Sequence, residues 1–258
     1  LWVVKNGLSE VAIFGPDGNS LHAGEFLYKK SILIARGSYR PPTLVQQEMI
    51  RLAYEQFRVE PDTGDTFFLT EITLDNLRGP HPQGHLDERD FLDRAEMLCA
   101  LGQTVILSDC VQHKKLIAYF RDYKVRRIGL AMGVRKLQNI IRETFEHNPD
   151  NLLGAFGELF LRNVRFYVYP ARENQDGSLL NSRNIDIPHA IHFLYDHLLE
   201  NRNIVDIQGF NPDILHIYHK EVLRQIQNGE TGWEENVPEE VAELVKERGL
   251  FGYDGGRT

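Results

Sequence analysis

Cysteine is almost missing from this chain: Cys99 and Cys110 are the only two in 258 residues. Two thiols cannot build a disulfide framework. Their apolar neighbours, Leu98 and Ala100 around the first and Val111 after the second, predict buried free thiols in a reducing compartment, with a single disulfide as the less favoured alternative. The expected location is cytoplasmic, an organelle matrix being equally reducing. No apolar run approaches the ~20 residues that span a bilayer, and no basic-then-apolar leader opens the chain. It begins at Leu1 in strand-like sequence, which is the expected look of a fragment or processed form. Excess positive charge is absent too. Thirty-seven acids against 29 bases leave a net charge of -8, which argues against wholesale wrapping of nucleic acid or of an anionic membrane and leaves room for local basic pockets. Three signatures are missing as well: GxxxxGK[ST], which excludes a P-loop; GxGxxG after a strand, which excludes the dinucleotide fingerprint; and GxSxG, which excludes a hydrolase elbow. Internal repeats and low-complexity tracts are lacking.

What is present is ordinary globular composition, 42% hydrophobic and 26% charged, in a chain long enough to hide about three quarters of its extended surface. The first 30 residues read as β: Trp2-Val3-Val4 and Val11-Ala12-Ile13-Phe14 flank the Asn6-Gly7 turn signal, and a second turn follows at Gly15-Pro16-Asp17-Gly18. Beyond them, strand-length apolar runs at residues 32–35, 67–72, 105–107, 128–132 and 166–169 alternate with helical-period segments at 43–57, 88–101, 113–123, 134–146 and 151–161. That alternation predicts an α/β fold, a Rossmann-like and mostly parallel sheet with helices on both faces. After Pro188 no strand is expected. Residues 188–201, 212–228 and 238–248 read as three helices, the last with Asn236 and Glu239 as a capping box and Gly249 as its end. The expected organisation is a β-hairpin extension over 1–30, with the end of an upstream domain as its alternative reading, an α/β domain over 31–170, and a loop with a helical extension over 171–258.

In an open parallel sheet, ligands bind beyond the carboxyl ends of the strands. The first of those ends is followed by Arg36-Gly37-Ser38-Tyr39-Arg40-Pro41-Pro42-Thr43 and the fourth by Gly133-Val134-Arg135-Lys136. Small residues there let a phosphate reach backbone amides, with Arg36, Arg40 and Arg135 as expected countercharges. The plainer alternative is that Gly37 and the two prolines only shape a βα turn. Other constellations read as structural. His189, His192, His197, His216 and His219 lack a completing ligand for a metal and fit helix edges. Arg121, Lys124, Arg126 and Arg127 around Tyr123 fit a solvated connection better than a nucleic-acid patch. His81 and His85 sit in a Gly/Pro-rich loop where they are either substrate contacts or solvated. Phe166-Tyr167-Val168-Tyr169 alternates as a buried strand with polar handles.

The stretch from Gly37 to Gln46, continuing Glu48-Met49-Ile50, resembles the signature that opens the nucleotidylyltransferase superfamily, Gly-Ser-Phe-Asp-Pro-x-[TH]-x-Gly-His before a helix. Leu86-Asp87-Glu88-Arg89 resembles that family's entry into its second long helix, and Gly133-Val134-Arg135 its Gly-Leu-Arg phosphate-binding turn. The similarity covers residues 31–170 and includes nicotinate-nucleotide and pantetheine-phosphate adenylyltransferases, among them poorly characterised bacterial proteins that carry the former label. It implies transfer of AMP from Mg-ATP to a mononucleotide or phosphate acceptor. On that resemblance Gly37, Ser38, Tyr39, Arg40, Thr43, Arg89 and Gly133 hold the nucleotide, and Gln46 and Arg135 stand at the transferred phosphorus and its phosphates. The family's catalytic His falls on Gln46, its Gly on Val45 and its Asp on Arg40, while its late ISSTxxR motif is echoed only by Leu180-Asn181-Ser182-Arg183. Gln offers a neutral donor where the family has an imidazole. Two readings follow: a nucleotide-binding domain with residual or altered adenylyl transfer, or a catalytically inactive scaffold. The N-terminal hairpin and C-terminal helices would offer surfaces to an upstream domain or protein partner. Neither reading calls for nucleic acid, a membrane or a protein-held metal.

Overall fold

Six runs rich in β-branched and aromatic residues lie side by side and parallel in a computed structural model that describes residues 1–77, 87–173 and 177–255. They are β3 (Ser31–Arg36), β4 (Thr66–Thr73), β5 (Thr104–Ser108), β6 (Arg127–Gly133), β7 (Val164–Tyr169) and β10 (Ile204–Asp206). Two antiparallel strands, β1 (Val11–Phe14) and β2 (Ser20–Leu21), complete a sheet of order β10-β7-β6-β3-β4-β5-β1-β2. Counted along the chain, the parallel strands run 3-2-1-4-5-6 across the sheet, the doubly wound Rossmann order. A separate small ribbon pairs β8 (Ala171–Arg172) with β9 (Leu179–Leu180).

Continuous apolarity in the central strands follows from burial on both faces. Ile32, Ile34, Ile128, Leu130, Phe166 and Val168 point to one layer, made by α2 (Ala23–Leu27), α5 (His113–Asp122), α6 (Val134–Glu146), α7 (Leu152–Leu159) and α8 (His192–Glu200). Leu33, Ala35, Ala131, Tyr167 and Tyr169 point to the other, made by α1 (Trp2–Lys5), α3 (Leu44–Arg58) and α4 (Glu88–Ala100). A third core closes around the buried Trp233, with α9 (His219–Gln227) and α10 (Glu239–Arg248) packed against Met97 of α4. Every expected strand and helix of residues 31–170 is present, and the fold class is the expected α/β sheet with a terminal hairpin and a helical extension.

Three local expectations are corrected. Trp2-Val3-Val4 is the short helix α1, with Val4 buried. The hairpin instead closes at the second turn signal, where Gly18 N–H donates to the Gly15 carbonyl at 2.8 Å and Ile13 pairs with Leu21. Strand β1 then runs along β5 in antiparallel register. A sixth parallel strand, β10, lies beyond Pro188. Its three residues fall between the polar segments Asn201-Arg202-Asn203 and Gln208-Gly209, too short to show a period of two, and it forms by pairing with β7. Asn236 lies in a 3₁₀ turn rather than capping α10, whose N-cap is Pro238, whereas Gly249 ends that helix in the left-handed region at φ 62°.

Candidate functional site

The order of the strands places a topological switch between β3 and β6. From β3 the chain moves through α3 to β4 on one side, and β6 later returns to the other side of β3. The helices that follow, α3 and α6, therefore cover opposite faces, and a crevice opens between the two strand ends. Ala35 pairs with Ala131. Two residues farther on, the neighbouring chains reach Gly37 and Gly133, each the start of a turn into its helix. The register thus brings the two halves of the sequence signature together.

The first turn is built from inside. Gly37 N–H donates to the Glu71 carbonyl at 3.1 Å, and a Cβ on Gly37 would meet the Tyr39 ring at 3.0 to 3.2 Å. Tyr39 adopts φ 48°, is buried, and donates its hydroxyl to the Ala35 carbonyl at 2.6 Å. Burial, reinforced by the Glu71 charge, pushes its phenol well above the usual value. Tyr39 therefore shapes the turn, and only its backbone faces the crevice side. The Ser38 carbonyl accepts from Arg94 Nη1 at 3.0 Å. Thr43 is the N-cap of α3 in a full capping box: its Oγ1 accepts from Gln46 N–H at 3.4 Å, and its own N–H donates to Gln46 Oε1 at 3.1 Å. The Gln46 amide is thereby fixed by its oxygen, with Nε2 left to donate. Gly133 caps α6 with open space where a Cβ would stand.

The arginines expected to supply countercharge are engaged within the protein. Arg36 gives Nε and Nη2 to the buried Glu71 carboxylate at 2.7 and 2.9 Å, and its remaining arms to the carbonyls of Cys110 and Val111 at 2.7 and 2.6 Å. Ser108 Oγ adds a 2.5 Å bond to the same carboxylate. Arg40 pairs with Asp90 at 3.3 Å, and Arg94 pairs with the same carboxylate. Arg135 Nη2 donates to the Arg172 carbonyl at 2.8 Å and lies 3.7 Å from Glu173. These acceptors lie far off in sequence, so the residues alone gave no sign of them. Arg89 is exposed in the first turn of α4, beside Asp90, and has no hydrogen-bond or ion-pair partner among the described residues. Lys136, in the first turn of α6, likewise has none. Leu86, His81 and His85 lie outside the described residues.

A residue not singled out from the sequence completes the region. His113 opens α5 just beyond the end of β5 and is 6% exposed. Burial first, then the charges of Arg36 and Lys136, holds its imidazole well below the usual range, so it stays neutral. It lines a cavity of about 420 Å³ with Val111, Lys136, Ile140, Thr144 and Leu159. A histidine opening a helix at the carboxyl end of a parallel strand is the sequence signal that would have found it. The late echo Leu180 to Arg183 is committed elsewhere: Ser182 donates its N–H and Oγ to the Asp206 carboxylate, both at 2.9 Å, at the outer strand β10. The helix-edge histidines are dispersed. His189 and His192 lie 5.6 Å apart ring to ring, His197 meets Asn201, and His216 meets the Asp213 carbonyl. Among the described residues no three metal-ligating side chains converge, and no helix is long and apolar enough to cross a membrane.

No protein-family model matches the sequence, and no curated protein does. Two solved structures of Plasmodium falciparum nicotinic acid mononucleotide adenylyltransferase are similar to the chain. The structure complexed with APC has a TM-score of 0.47 and the structure complexed with NaAD one of 0.48; each is 13% identical and the similarity spans 87% of this chain and 98% of the other.

Proposed function

We propose that this chain binds a nucleoside triphosphate at the β3–β6 crevice and transfers its nucleotidyl group slowly to an anionic acceptor. The observation that carries this reading is the register that sets the Gly37 and Gly133 turns side by side, each leading into a helix whose first N–H groups would be open to a phosphate. The phosphates would lie over residues 37–43 and the first turn of α6, with Lys136 and Arg89 as cations. Gln46 Nε2 would donate to an oxygen of the α-phosphate, while the capping box holds the amide in place. An acceptor oxygen would attack the α-phosphorus as pyrophosphate departs. Mg²⁺ would enter on the phosphates, as that ion commonly does, since the described residues offer no converging ligand set. The cavity beside Lys136 and His113 suits a small acceptor that has one anionic end and an apolar body.

A non-catalytic scaffold is the second reading, favoured by the internal engagement of Arg36, Arg40 and Arg135. Calorimetric titration with Mg-ATP, followed by pyrophosphate release with nicotinate mononucleotide as acceptor, separates the two. The expected result is binding that Lys136→Ala weakens about tenfold, with a smaller effect of Arg135→Ala. Absence of heat at millimolar nucleotide would leave the scaffold reading standing.

A further inference from the structure

At the opposite edge of the sheet, where β6 and β7 begin, the chain gathers arginines around a second concavity. Arg127 opens β6, Arg162 and Arg165 flank the start of β7, Arg202 sits in the turn before β10, and Arg183, beside Ser182, shares the wall of the larger cavity with Arg165 and Arg202. Two cavities, about 770 and about 50 Å³, share Glu60, Arg165, Tyr167 and Arg202 in their walls. Because the strands are parallel, the starts of β6 and β7 lie a strand length from the carboxyl ends that hold the Gly37 and Gly133 turns, while the larger cavity runs along the outer strand β10 as far as Asp206.

Four arginines line the smaller cavity (Arg127, Arg162, Arg165, Arg202) and three the larger (Arg165, Arg183, Arg202), five in all in a chain whose net charge is -8. Only two carboxylates line the same walls, and both are committed. Asp206 is held by Ser182, and Glu60 is ion-paired with Arg165, with Arg202 at 3.9 Å. The guanidinium groups of Arg127, Arg162 and Arg183 have no hydrogen-bond or ion-pair partner among the described residues. Guanidinium groups cannot shed their protons, so an anion bound among them would offset their mutual repulsion. Tyr167 is a second, independent pointer. It is 1% exposed and lines both cavities, and no hydrogen bond of acceptable geometry reaches its hydroxyl, which lies near Arg165. Burial pushes its phenol up to about 12, so the hydroxyl remains a donor. Buried hydroxyls without a partner are uncommon and call for an explanation, which a ligand oxygen would supply.

The planar guanidinium fork matches phosphate oxygens in pairs, and a concavity of this size exceeds one phosphate group. We propose that the arginine-lined cavity between α3, β7 and β10 binds a small molecule that carries more than one phosphate group, at a site separate from the β3–β6 crevice. Its anionic groups would span the two adjoining cavities, reaching Arg183 in the larger, Arg127 and Arg162 in the smaller and Arg202 in their shared wall, and accept from the Tyr167 hydroxyl.

The test uses the whole chain and inorganic tripolyphosphate, titrated calorimetrically at about physiological salt, where weak surface attraction is screened. Arg127→Gln with Arg202→Gln removes two charges without uncovering Glu60, whose partner Arg165 stays. Binding is expected to weaken by roughly tenfold or more, with an unchanged urea midpoint. Tyr167→Phe is expected to weaken binding several-fold with little loss of stability, since the hydroxyl lies beside Arg165, a donor only, and its own proton has no acceptor among the described residues. Lys136→Ala, which weakens any binding at the crevice, is expected to keep the part of the binding that Arg127→Gln with Arg202→Gln removes. The proposal is overturned if tripolyphosphate gives no heat at millimolar concentration, if the double arginine variant binds as the wild type does, or if Lys136→Ala alone abolishes binding. Failure of Mg-ATP to bind the crevice leaves these outcomes unaffected.

Discussion

Replacing Glu71 by Gln keeps the shape of a fully buried side chain and removes the charge that holds Arg36 in place. The carboxylate takes two arms of Arg36 and the Ser108 hydroxyl. An amide presents an NH₂ group to one of those donors, so at least one charge-assisted bond is lost, and the guanidinium, 12% exposed, stays buried beside a neutral partner. Each hydrogen bond to a charged group is worth about 1.5–3 kcal/mol, and breaking a buried ion pair from one side costs about 3–5 kcal/mol. That is about a fifth or more of the total stability of about 5–15 kcal/mol usual for a domain. At about 2–4 °C per kcal/mol for chains of this size, the melting temperature should fall by roughly 10 °C. The double variant Arg36→Met with Glu71→Leu removes both charges and should recover part of the loss. Full recovery is not expected, because Arg36 also satisfies the Cys110 and Val111 carbonyls. Cys110 is buried, and its orphaned carbonyl costs about 1–3 kcal/mol. Urea denaturation of the two single variants and the double gives the coupling directly. If Glu71→Gln lies within about 1 kcal/mol of the wild type, the pair is not the buried network described here, and Arg36 must be counted among the groups free to meet a phosphate.

Gln46→Glu separates the two roles of that side chain. Glu serves in a capping box as well as Gln does, so stability should stay within about 0.5 kcal/mol, while a negative charge beside the phosphates should weaken Mg-ATP binding at least about tenfold; equal binding would place the nucleotide elsewhere. His113 and His219 are both held below the ordinary 6.5 by burial, so the unfolded chain takes up protons that the folded chain does not. Stability from this source is complete above about pH 6.5 and falls as the pH drops from there towards the depressed folded values, by up to about 1.4 kcal/mol per pH unit for each histidine. His113→Gln should flatten the slope of the urea midpoint between about pH 6.5 and 5.5, and an unchanged slope would show that the imidazole titrates normally. Burial, with help from Glu71 and Glu10, pushes the Cys110 thiol up to about 11. At pH 8 only about 0.1% is thiolate, so a disulfide reagent should spare Cys110 in the native protein and modify it promptly in urea.

Periodicity made the core of this fold legible because its strands are buried on both faces and its helices on one. Ile32, Ile34, Leu130 and Val168 announce strands whatever their neighbours do, and the stripe of Met49, Leu52, Ala53 and Phe57 announces α3. Legibility ended where an element depends on a distant partner. Ile204 to Asp206 becomes a strand only through β7. Trp2 to Lys5 has β-forming residues, yet its backbone bonds run from Lys5 N–H to Leu1 and from Asn6 N–H to Trp2, and the strand next to β5 is β1 instead.

The same division separates the positions of the site from its electrostatics. Gly37, Thr43 and Gly133 owe their places to local chemistry: a turn that a Cβ would crowd against Tyr39, a cap, and a helix start. Whether an arginine is free to meet a ligand depends instead on acceptors brought near by folding. Arg36 and Arg135 look available in the sequence and are engaged by residues 35 or more positions away, Glu71 and the Arg172 carbonyl. Arg127 looks like part of a solvated connection and instead lines a cavity with three other arginines. Arg36, Arg40 and Arg135 are thus engaged at the strand ends, while Arg127, Arg162 and Arg183, around the two adjoining cavities, stay unpaired among the described residues. Nucleotide affinity at the proposed crevice site would then come chiefly from backbone N–H groups, Lys136 and Arg89.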